Sequence, residues 1–245
     1  AQQLYERYKL TTYPRTDSQH LPQDMRNDVD DILNKLQSQA LWAAHAKRLT
    51  DGGLEHVDRN LKDSKVSDHH AVIPTGKVPP ADISARTMQV YELIVGRFIA
   101  SFHPNAKWED EKRKAPLGEG ALHAEANLLL EEGWRKVISK ASKRPDGWGS
   151  VASQAVSDVD SIQAEEGMTK PKSRLKEAGL LSRMENAGRE VEDDELKAVM
   201  KDKGLGTPAT RAETIEKLIA KGLVQRLKGG SLRATPDGIR LVDVL

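Results

Sequence analysis

The segment SARTMQVYELIVGRFIASF, residues 84–102, constrains the fold of this chain more than any other. Its apolar residues recur every three or four positions, which is the period of one face of an α-helix. Those residues are Met88, Tyr91, Ile94, Val95, Phe98 and Phe102. Upstream, LPQDMRNDVDDILNKLQ and QALWAAHAKRL have the same spacing, and Asp51-Gly52-Gly53 ends the second. We therefore predict that residues 1–103 form a helical domain.

The pattern changes after residue 103, where short apolar runs alternate with glycine. ALHAEANLLLEEGWRKV is typical of two strands around a turn, and VSDVDSIQAEEGMT is also typical of a strand. These features predict a small β-rich domain over residues 104–172.

Helical spacing returns in GLLSRMENAG and DDELKAVMKDKG, and GTPATRAETIEKLIAKG predicts a helix that begins near Pro208. LVQRLKGGSLRATPDG then predicts a hairpin around Gly229-Gly230. Helix, turn, helix and a basic two-stranded wing follow the order of a winged helix, which can contact either DNA or protein. The predicted class is multidomain α+β, with a winged-helix-like domain over residues 173–245.

Charge is distributed unevenly along the chain. The net charge of the whole chain is only +1, but residues 196–245 contain ten Lys or Arg against five Asp or Glu, behind the acidic run EVEDDE. A basic C-terminal segment favours a partner that carries phosphate.

The absence of cysteine from the sequence excludes disulfides and thiolate metal sites, and it fits a cytoplasmic location. We find no secretory signal and no apolar run of about 18 residues, so we expect no membrane partner.

The stretch KLTTYPRTDS places Tyr13 directly before Pro14 and Arg15 two positions after the tyrosine. Proline disfavours the α region for the preceding residue, so Tyr13 is expected in an extended or turn conformation. Hydroxyl side chains such as Ser18 can donate to phosphate oxygens. An extended tyrosine beside a fixed positive charge could be a phosphoryl-transfer nucleophile, and the stretch could equally be a loop that enters a helix.

Four stretches occur together in one order and spacing: KLTTYPRTDS, SDHHAVIPT, VYELIVGRFIASFHPNAKW and GLGTPATRAETIEKLI. In them the chain resembles the type IA DNA topoisomerases, and in particular the bacterial topoisomerase III enzymes. The resemblance implies cleavage and rejoining of one DNA strand through a 5′-phosphotyrosine, without ATP, so that negative supercoils are relaxed or DNA is decatenated. It implies that Tyr13 is the nucleophile and that Arg15 holds the scissile phosphate. It also implies that His69 lies near the tyrosine and the DNA backbone.

The resemblance and the basic wing together predict a set of DNA-binding residues. Thr210 and Arg211 match positions in the single-strand groove of the family, and TKPKSR places Arg174 in a family motif. The full predicted set is Lys9, Ser18, Arg174, Thr210, Arg211, Arg226, Lys228 and Arg233. The sequence departs from the family at three positions. The family usually has two prolines in the TKPKSR region, whereas here Lys172 follows Pro171. Ala126 replaces a common glycine, and Gly96 replaces a common arginine.

The acidic metal-binding domain of the family, with its glutamate and Asp-x-Asp signature, does not occur in these residues. The resemblance therefore implies that Mg²⁺ is held on a separate domain, and we predict no metal ligand here. Single-stranded DNA and that domain are the expected partners, in a nucleoid-associated setting. The chain alone is expected to be inactive.

Two other functions remain open at this point. The chain could be a non-catalytic fragment that binds single-stranded DNA or acts as a gate, with Tyr13 never activated. A phosphotyrosine-forming relaxase or recombinase would need a histidine cluster or several scattered catalytic Arg and His residues, and neither pattern is convincing here.

Overall fold

The computed structural model describes residues 1–66, 68–138, 163, 166–189 and 204–244. Their contacts divide the chain into two compact units, Ala1–Val156 and Ser157–Leu245. Both units contain helices and small antiparallel sheets, which confirms the mixed α and β class. The domain boundaries at residues 103 and 172 stay predictions.

The first unit begins with helices. They are α1 (Gln2–Glu6), α2 (Arg26–Leu36), α3 (Ala43–Gly52), α4 (Val57–Asn60) and α5 (Ala85–Ser101), with 3-10 turns at Gln23–Met25 and Asp63–Lys65. Ser84 caps α5 by accepting a hydrogen bond from the backbone N–H of Thr87. The three helices predicted from periodicity are confirmed.

One hydrophobic core joins these helices. The buried face of α5 contributes Tyr91, Val95, Phe98 and Ile99 to the same cluster as the apolar faces of α2 and α3. Leu4 of α1 is fully buried in it as well. The apolar face that the sequence predicted for α5 therefore packs into this core.

The strands β1 (Lys107–Leu117) and β2 (Gly120–Glu131) form an antiparallel hairpin that turns at Gly118. The expectation that ALHAEANLLLEEGWRKV holds two strands was wrong, because all of its strand residues lie in β2. The partner strand of β2, β1, contains so many charged residues that apolar and polar residues do not alternate along it.

The chain leaves the hairpin at Gly133, which has a φ of 48°. A Cβ there would overlap the backbone of Asn105, so the strand cannot continue. GWRKV instead enters the short helix α6 (Arg135–Ile138). Ile138 of α6 packs against Gly96, where a Cβ would lie 2.9 Å from Ile138 Cγ2.

The second unit contains α7 (Glu177–Glu185), a 3-10 turn (Ala187–Arg189), α8 (Arg211–Ala220), β3 (Val224–Arg226), β4 (Leu232–Ala234) and α9 (Pro236–Val244). The predicted helix starting near Pro208 and the hairpin around Gly229-Gly230 are confirmed. The helix expected in DDELKAVMKDKG and most of VSDVDSIQAEEGMT lie outside the described residues. The winged-helix assignment stays a prediction.

Helix α9 was not predicted, because TPDG looked like the end of the hairpin. Thr235 caps this helix by accepting from the backbone N–H of Gly238 at 3.1 Å, and Pro236 takes the first helical position. None of the helices in the described ranges is long and apolar enough to span a bilayer.

Candidate active site and nucleic-acid interface

Two stretches that lie about sixty residues apart in the sequence are joined by backbone hydrogen bonds. The N–H of Thr12 donates to the carbonyl of Ile73 at 2.9 Å, and the N–H of Thr75 donates to the carbonyl of Leu10 at 2.9 Å. The hydroxyl of Thr12 accepts from the N–H of Ile73 at 3.0 Å. This pairing brings KLTTYPRTDS against SDHHAVIPT.

The loop that follows Tyr13 is fixed to the second stretch by hydroxyl side chains. Thr16 Oγ1 donates to the carbonyl of His69 at 2.8 Å. Ser18 Oγ donates to the carbonyl of Lys65 at 2.9 Å and accepts from the N–H of His20 at 3.0 Å. Thr16 and Ser18 therefore hold the loop in place, and the DNA contact assigned to Ser18 stays a prediction.

Tyr13 and His69 are neighbours in the folded chain. Their ring centroids are 4.4 Å apart with an angle of 43° between the planes, and Tyr5 meets the Tyr13 ring edge-on at 5.5 Å. Tyr13 is half-buried and His69 is exposed. Both line an open cleft of about 720 Å³ together with Tyr5, Lys9, Thr11, Thr12, Thr75 and Lys77.

The charged side chains in this cleft are basic. Lys9 and Lys77 are exposed in it, and no carboxylate is among the described residues that line it. Lys9 has a φ of 53°, a left-handed conformation that non-glycine residues rarely adopt. Thr11 is 2% exposed, and its hydroxyl makes no hydrogen bond within the described part of the chain. The cleft thus offers two cations to an anionic ligand.

Lys77 was missed in the sequence, although it follows the VIPTG stretch directly. Its backbone carbonyl accepts from the hydroxyl of Tyr91 at 3.2 Å and from Gln39 Nε2 at 3.2 Å. Burial raises the pKa of Tyr91, so this hydroxyl stays a protonated donor. The buried face of α5 thereby fixes the backbone from which Lys77 extends.

Arg15 does not line the cleft. Its side chain is exposed, and Nη2 donates to Oε1 of Gln2 at 3.0 Å. Its predicted role at the phosphate would require the guanidinium to exchange Gln2 for the ligand.

In the second unit, Arg211 is only 8% exposed, and its Nε donates to the carbonyl of Leu205 at 3.1 Å. Thr210 Oγ1 accepts from the N–H of Thr207 at 3.0 Å. Gly204 has a φ of 59°, and a Cβ there would lie 2.5 Å from the carbonyl oxygen of Met184. These contacts join the GLGTPATR stretch to MENAG, and the groove roles of Thr210 and Arg211 stay predictions.

The basic residues of the hairpin have different surroundings. Arg226 forms ion pairs with Glu177 and Glu216, and its hydrogen bonds to both carboxylates raise the pKa of its guanidinium. Arg233 faces Gln225 across the hairpin and donates to its side-chain oxygen once the amide is turned toward it. Lys228 is exposed in the turn, and Arg174 is exposed ahead of α7.

A site for Mg²⁺ requires carboxylate and water oxygens. The described residues contain no group of three or more His, Asp or Glu that could hold a metal ion. The lysines beside Tyr13 would also repel a cation. The described residues therefore do not fit Mg²⁺.

Comparison with known proteins gives one consistent family. A family model described as "DNA topoisomerase" matches residues 1–245. DNA topoisomerase 3 of Bacillus licheniformis is 34% identical over 254 residues, covering 100% of this chain and 35% of the relative. DNA topoisomerase 3 of Vibrio cholerae is 33% identical over 251 residues, covering 100% of this chain and 38% of the relative.

A solved structure has the same fold. Full-length topoisomerase I from Thermotoga maritima matches 100% of this chain and 37% of its own length, with a TM-score of 0.57 and 21% sequence identity. The chain therefore spans 35% to 38% of the length of these relatives.

Proposed function

Because the chain belongs to the DNA topoisomerase family, we propose that it carries the strand-cleaving tyrosine of a type IA enzyme. In this proposal Tyr13 cleaves one DNA strand and later rejoins it. The complete enzyme relaxes negative supercoils or decatenates DNA by passing a second strand through the gap.

The observation that supports this proposal most is the shared cleft of Tyr13 and His69. A tyrosine hydroxyl becomes a useful nucleophile only when its proton can leave and when the charge on the phosphate is offset. The ring centroids of His69 and Tyr13 lie 4.4 Å apart, and Lys9 and Lys77 line the same cleft. A histidine can transfer a proton near neutral pH, and the two ammonium groups favour an anionic backbone.

The hydroxyl oxygen of Tyr13 attacks phosphorus, a bond forms between them, and the bond from phosphorus to the 3′ oxygen breaks. The tyrosine proton passes to a base, for which His69 in the same cleft is the candidate, and the leaving 3′ oxygen takes up a proton. The phosphotyrosine retains the energy of the phosphodiester, so the reverse attack by the 3′ hydroxyl needs no ATP.

The DNA strand is proposed to be single-stranded, as the family resemblance implies, and the predicted contacts are made to its phosphates by basic and hydroxyl side chains. Arg15 would turn from Gln2 to the scissile phosphate, and its planar fork could hold two oxygens at once. Mg²⁺ is proposed to lie on an acidic domain that is not part of this chain.

The alternative is a chain that binds or gates DNA without cleaving it. One experiment separates the two: trapping of a covalent adduct on a 3′-end-labelled single-stranded oligonucleotide, with and without an added acidic domain from a relative. With the acidic domain added, we expect labelled protein with the wild-type chain and none with Tyr13→Phe, which keeps the ring and removes the hydroxyl. Without that domain we expect no labelled protein. Tyr8→Phe is the matched control, since Tyr8 lies outside the cleft lining and should leave the adduct intact. An adduct on the Tyr13→Phe chain would refute the assignment.

A further inference from the structure

A second cavity, of about 480 Å³, lies in the first unit beside residues 71–73. The same residues hold Thr12 through the bond from its N–H to the carbonyl of Ile73. The rest of its wall comes from Gln19 and Leu21, helix α4, the C-terminal end of α5 with the residues after it, and the turn at Trp134. This volume lies within the range of small-molecule sites and exceeds what a bare anion requires.

Two arginines supply the charge of this cavity. Arg59 of α4 and Arg97 of α5 both line it, and both are exposed. Neither side chain makes a hydrogen bond or an ion pair within the described part of the chain, whereas Arg226 pairs with two carboxylates. No Asp or Glu is among the described lining residues. Two unneutralised guanidinium groups in a concave site favour an anionic ligand.

The neutral side chains of the cavity suit a nucleobase. Gln19, Asn105 and Trp134 are among the residues that line it, and these residue types carry amide and indole groups. The backbone N–H of Trp134 donates to the carbonyl of Pro104 at 2.8 Å, and Gly133 packs closely on Asn105. This part of the wall is therefore fixed in the fold. Aromatic surfaces stack on bases of any sequence, and amides can bond their edges.

The elements that hold the two arginines are also tied together. Asn60 Nδ2 donates to the carbonyl of Ser101 at 2.7 Å, which fastens the end of α4 to the end of α5. The N–H of Leu21 donates to the carbonyl of Asn60 at 2.9 Å. The backbones that carry Arg59 and Arg97 therefore have a fixed spacing, while their side chains stay exposed.

We propose that this cavity is a second DNA subsite, which binds a phosphodiester and an adjoining base of single-stranded DNA at a point separate from the Tyr13 cleft. Arg59 and Arg97 hold the phosphate, and Trp134 takes the base. The inference rests on the proposed DNA-processing function. It adds that the first unit holds the strand at a place beyond the cleaved bond.

The test measures binding of a fluorescent oligothymidylate to the chain at several salt concentrations, in a Tyr13→Phe background that excludes cleavage. Arg59→Gln/Arg97→Gln should reduce the slope of log affinity against log salt by about 0.7 for each phosphate that the cavity no longer neutralises. Arg59→Lys/Arg97→Lys keeps the charge and should retain most of the slope. Arg86→Gln/Lys114→Gln removes two exposed cations that lie outside the cavity and should leave the slope unchanged.

Superimposable slopes for the wild-type and Arg59→Gln/Arg97→Gln chains would overturn the proposal. Thymidine monophosphate and inorganic phosphate form the second arm: a ligand that competes as well as the oligothymidylate would show that the site takes free phosphate compounds, which also overturns it. Adduct formation with Tyr13 intact reports separately on the proposed function. Adducts with unchanged slopes would reject the subsite alone, and changed slopes without adducts would reject cleavage alone.

Discussion

Arg15 shows how the position of a side chain refines a role taken from a sequence motif. The guanidinium donates to Gln2 and lies outside the lining of the cleft, while Lys9 and Lys77 occupy positions beside Tyr13. If Arg15 moves to the phosphate in the complex, its planar fork matters more than its charge. Arg15→Lys should therefore lower the rate of single-turnover cleavage by about tenfold, on the order of 1.4 kcal/mol. The measurement is quenched cleavage of a labelled oligonucleotide by the chain completed with an acidic domain.

Gln2→Ala is the control for this substitution. It frees the guanidinium without altering Arg15, so cleavage should stay the same or increase. Equal rates for Arg15→Lys and wild type would show that Arg15 does not orient the phosphate.

His103 couples the stability of the first unit to pH. The ring is 1% exposed, and burial together with the positive charges of Arg48, His45 and Lys136 lowers its pKa from 6.5 to about 4. Arg48 Nη1 lies 2.7 Å from Nδ1, so the neutral ring accepts this hydrogen bond. The unfolded chain takes up a proton below pH 6.5 and the folded chain does not. Its contribution to stability is therefore complete above pH 6.5 and is lost as the pH falls toward 4.

When the pH falls from 7 to 5, we expect protonation of this histidine in the unfolded chain to lower the unfolding free energy of the first unit by about 1–2 kcal/mol. His103→Asn keeps an acceptor for Arg48 and cannot be protonated, so it should remove most of this pH dependence. Urea unfolding followed by circular dichroism at both pH values measures the effect. An unchanged pH dependence in the variant would exclude His103 as its source.

Among the helices and strands, the sequence predicted those whose apolar residues repeat at a regular spacing. Helices α2, α3 and α5 were found because their apolar faces repeat at helical spacing, and α3 ends at the C-cap residue Gly53 while Ser84 caps α5. The partner of β2 was missed because the runs of charged residues in β1 resemble a surface loop. Helix α9 was missed because Thr235-Pro236, which is a helix-start signal, was assigned to the end of the hairpin, and because the close packing of Gly238 on Leu223 is a tertiary contact.

The close packing of Gly238 gives a test of the second unit. A Cβ at this position would overlap the carbonyl oxygen of Leu223, which belongs to the backbone and cannot easily move. Gly238→Ala should lower the stability of this unit by about 1–3 kcal/mol, even though alanine favours a helix. Gly52→Ala is the matched control, since Gly52 is helical and its Cβ would meet no atom within 4 Å. Thermal unfolding of both variants measures the effect. Equal melting temperatures would contradict the expectation that a Cβ at position 238 clashes with the backbone of Leu223.

In the hairpin, the structure separates two residues that the sequence grouped together. Arg226 is engaged by Glu177 and Glu216, whereas Lys228 is exposed in the turn. Lys228→Ala should reduce the salt slope of oligonucleotide binding by about 0.7, the value for one phosphate of a single strand. Arg226→Ala should leave that slope nearly unchanged, because the ion pairs already occupy its guanidinium. A larger change for Arg226→Ala than for Lys228→Ala would mean that DNA displaces the carboxylates.

Across the chain as a whole, the sequence located the candidate cleft but not its complete lining. The match in KLTTYPRTDS and SDHHAVIPT pointed to Tyr13 and His69, and backbone pairing between these stretches places their rings together. Tyr5 and Lys77 were missed because they reach the cleft through α1 and through the anchoring of Lys77 by Tyr91. Such contacts depend on tertiary packing, which motif spacing does not encode.

The last prediction concerns the isolated chain, which corresponds to only part of a topoisomerase. The cleft offers a hydroxyl, an imidazole and two ammonium groups, while the chain spans only 35% of the relative from Bacillus licheniformis. Relaxation requires cleavage, strand passage and resealing, and the proposal places part of the charge stabilisation on an acidic domain outside these residues. Supercoiled plasmid incubated with the purified chain and Mg²⁺ should therefore keep its distribution of topoisomers, with or without ATP. Adding the acidic domain should restore relaxation to the wild-type chain and not to Tyr13→Phe. Relaxation by the isolated chain that disappears in Tyr13→Phe would show instead that these residues suffice for the complete reaction.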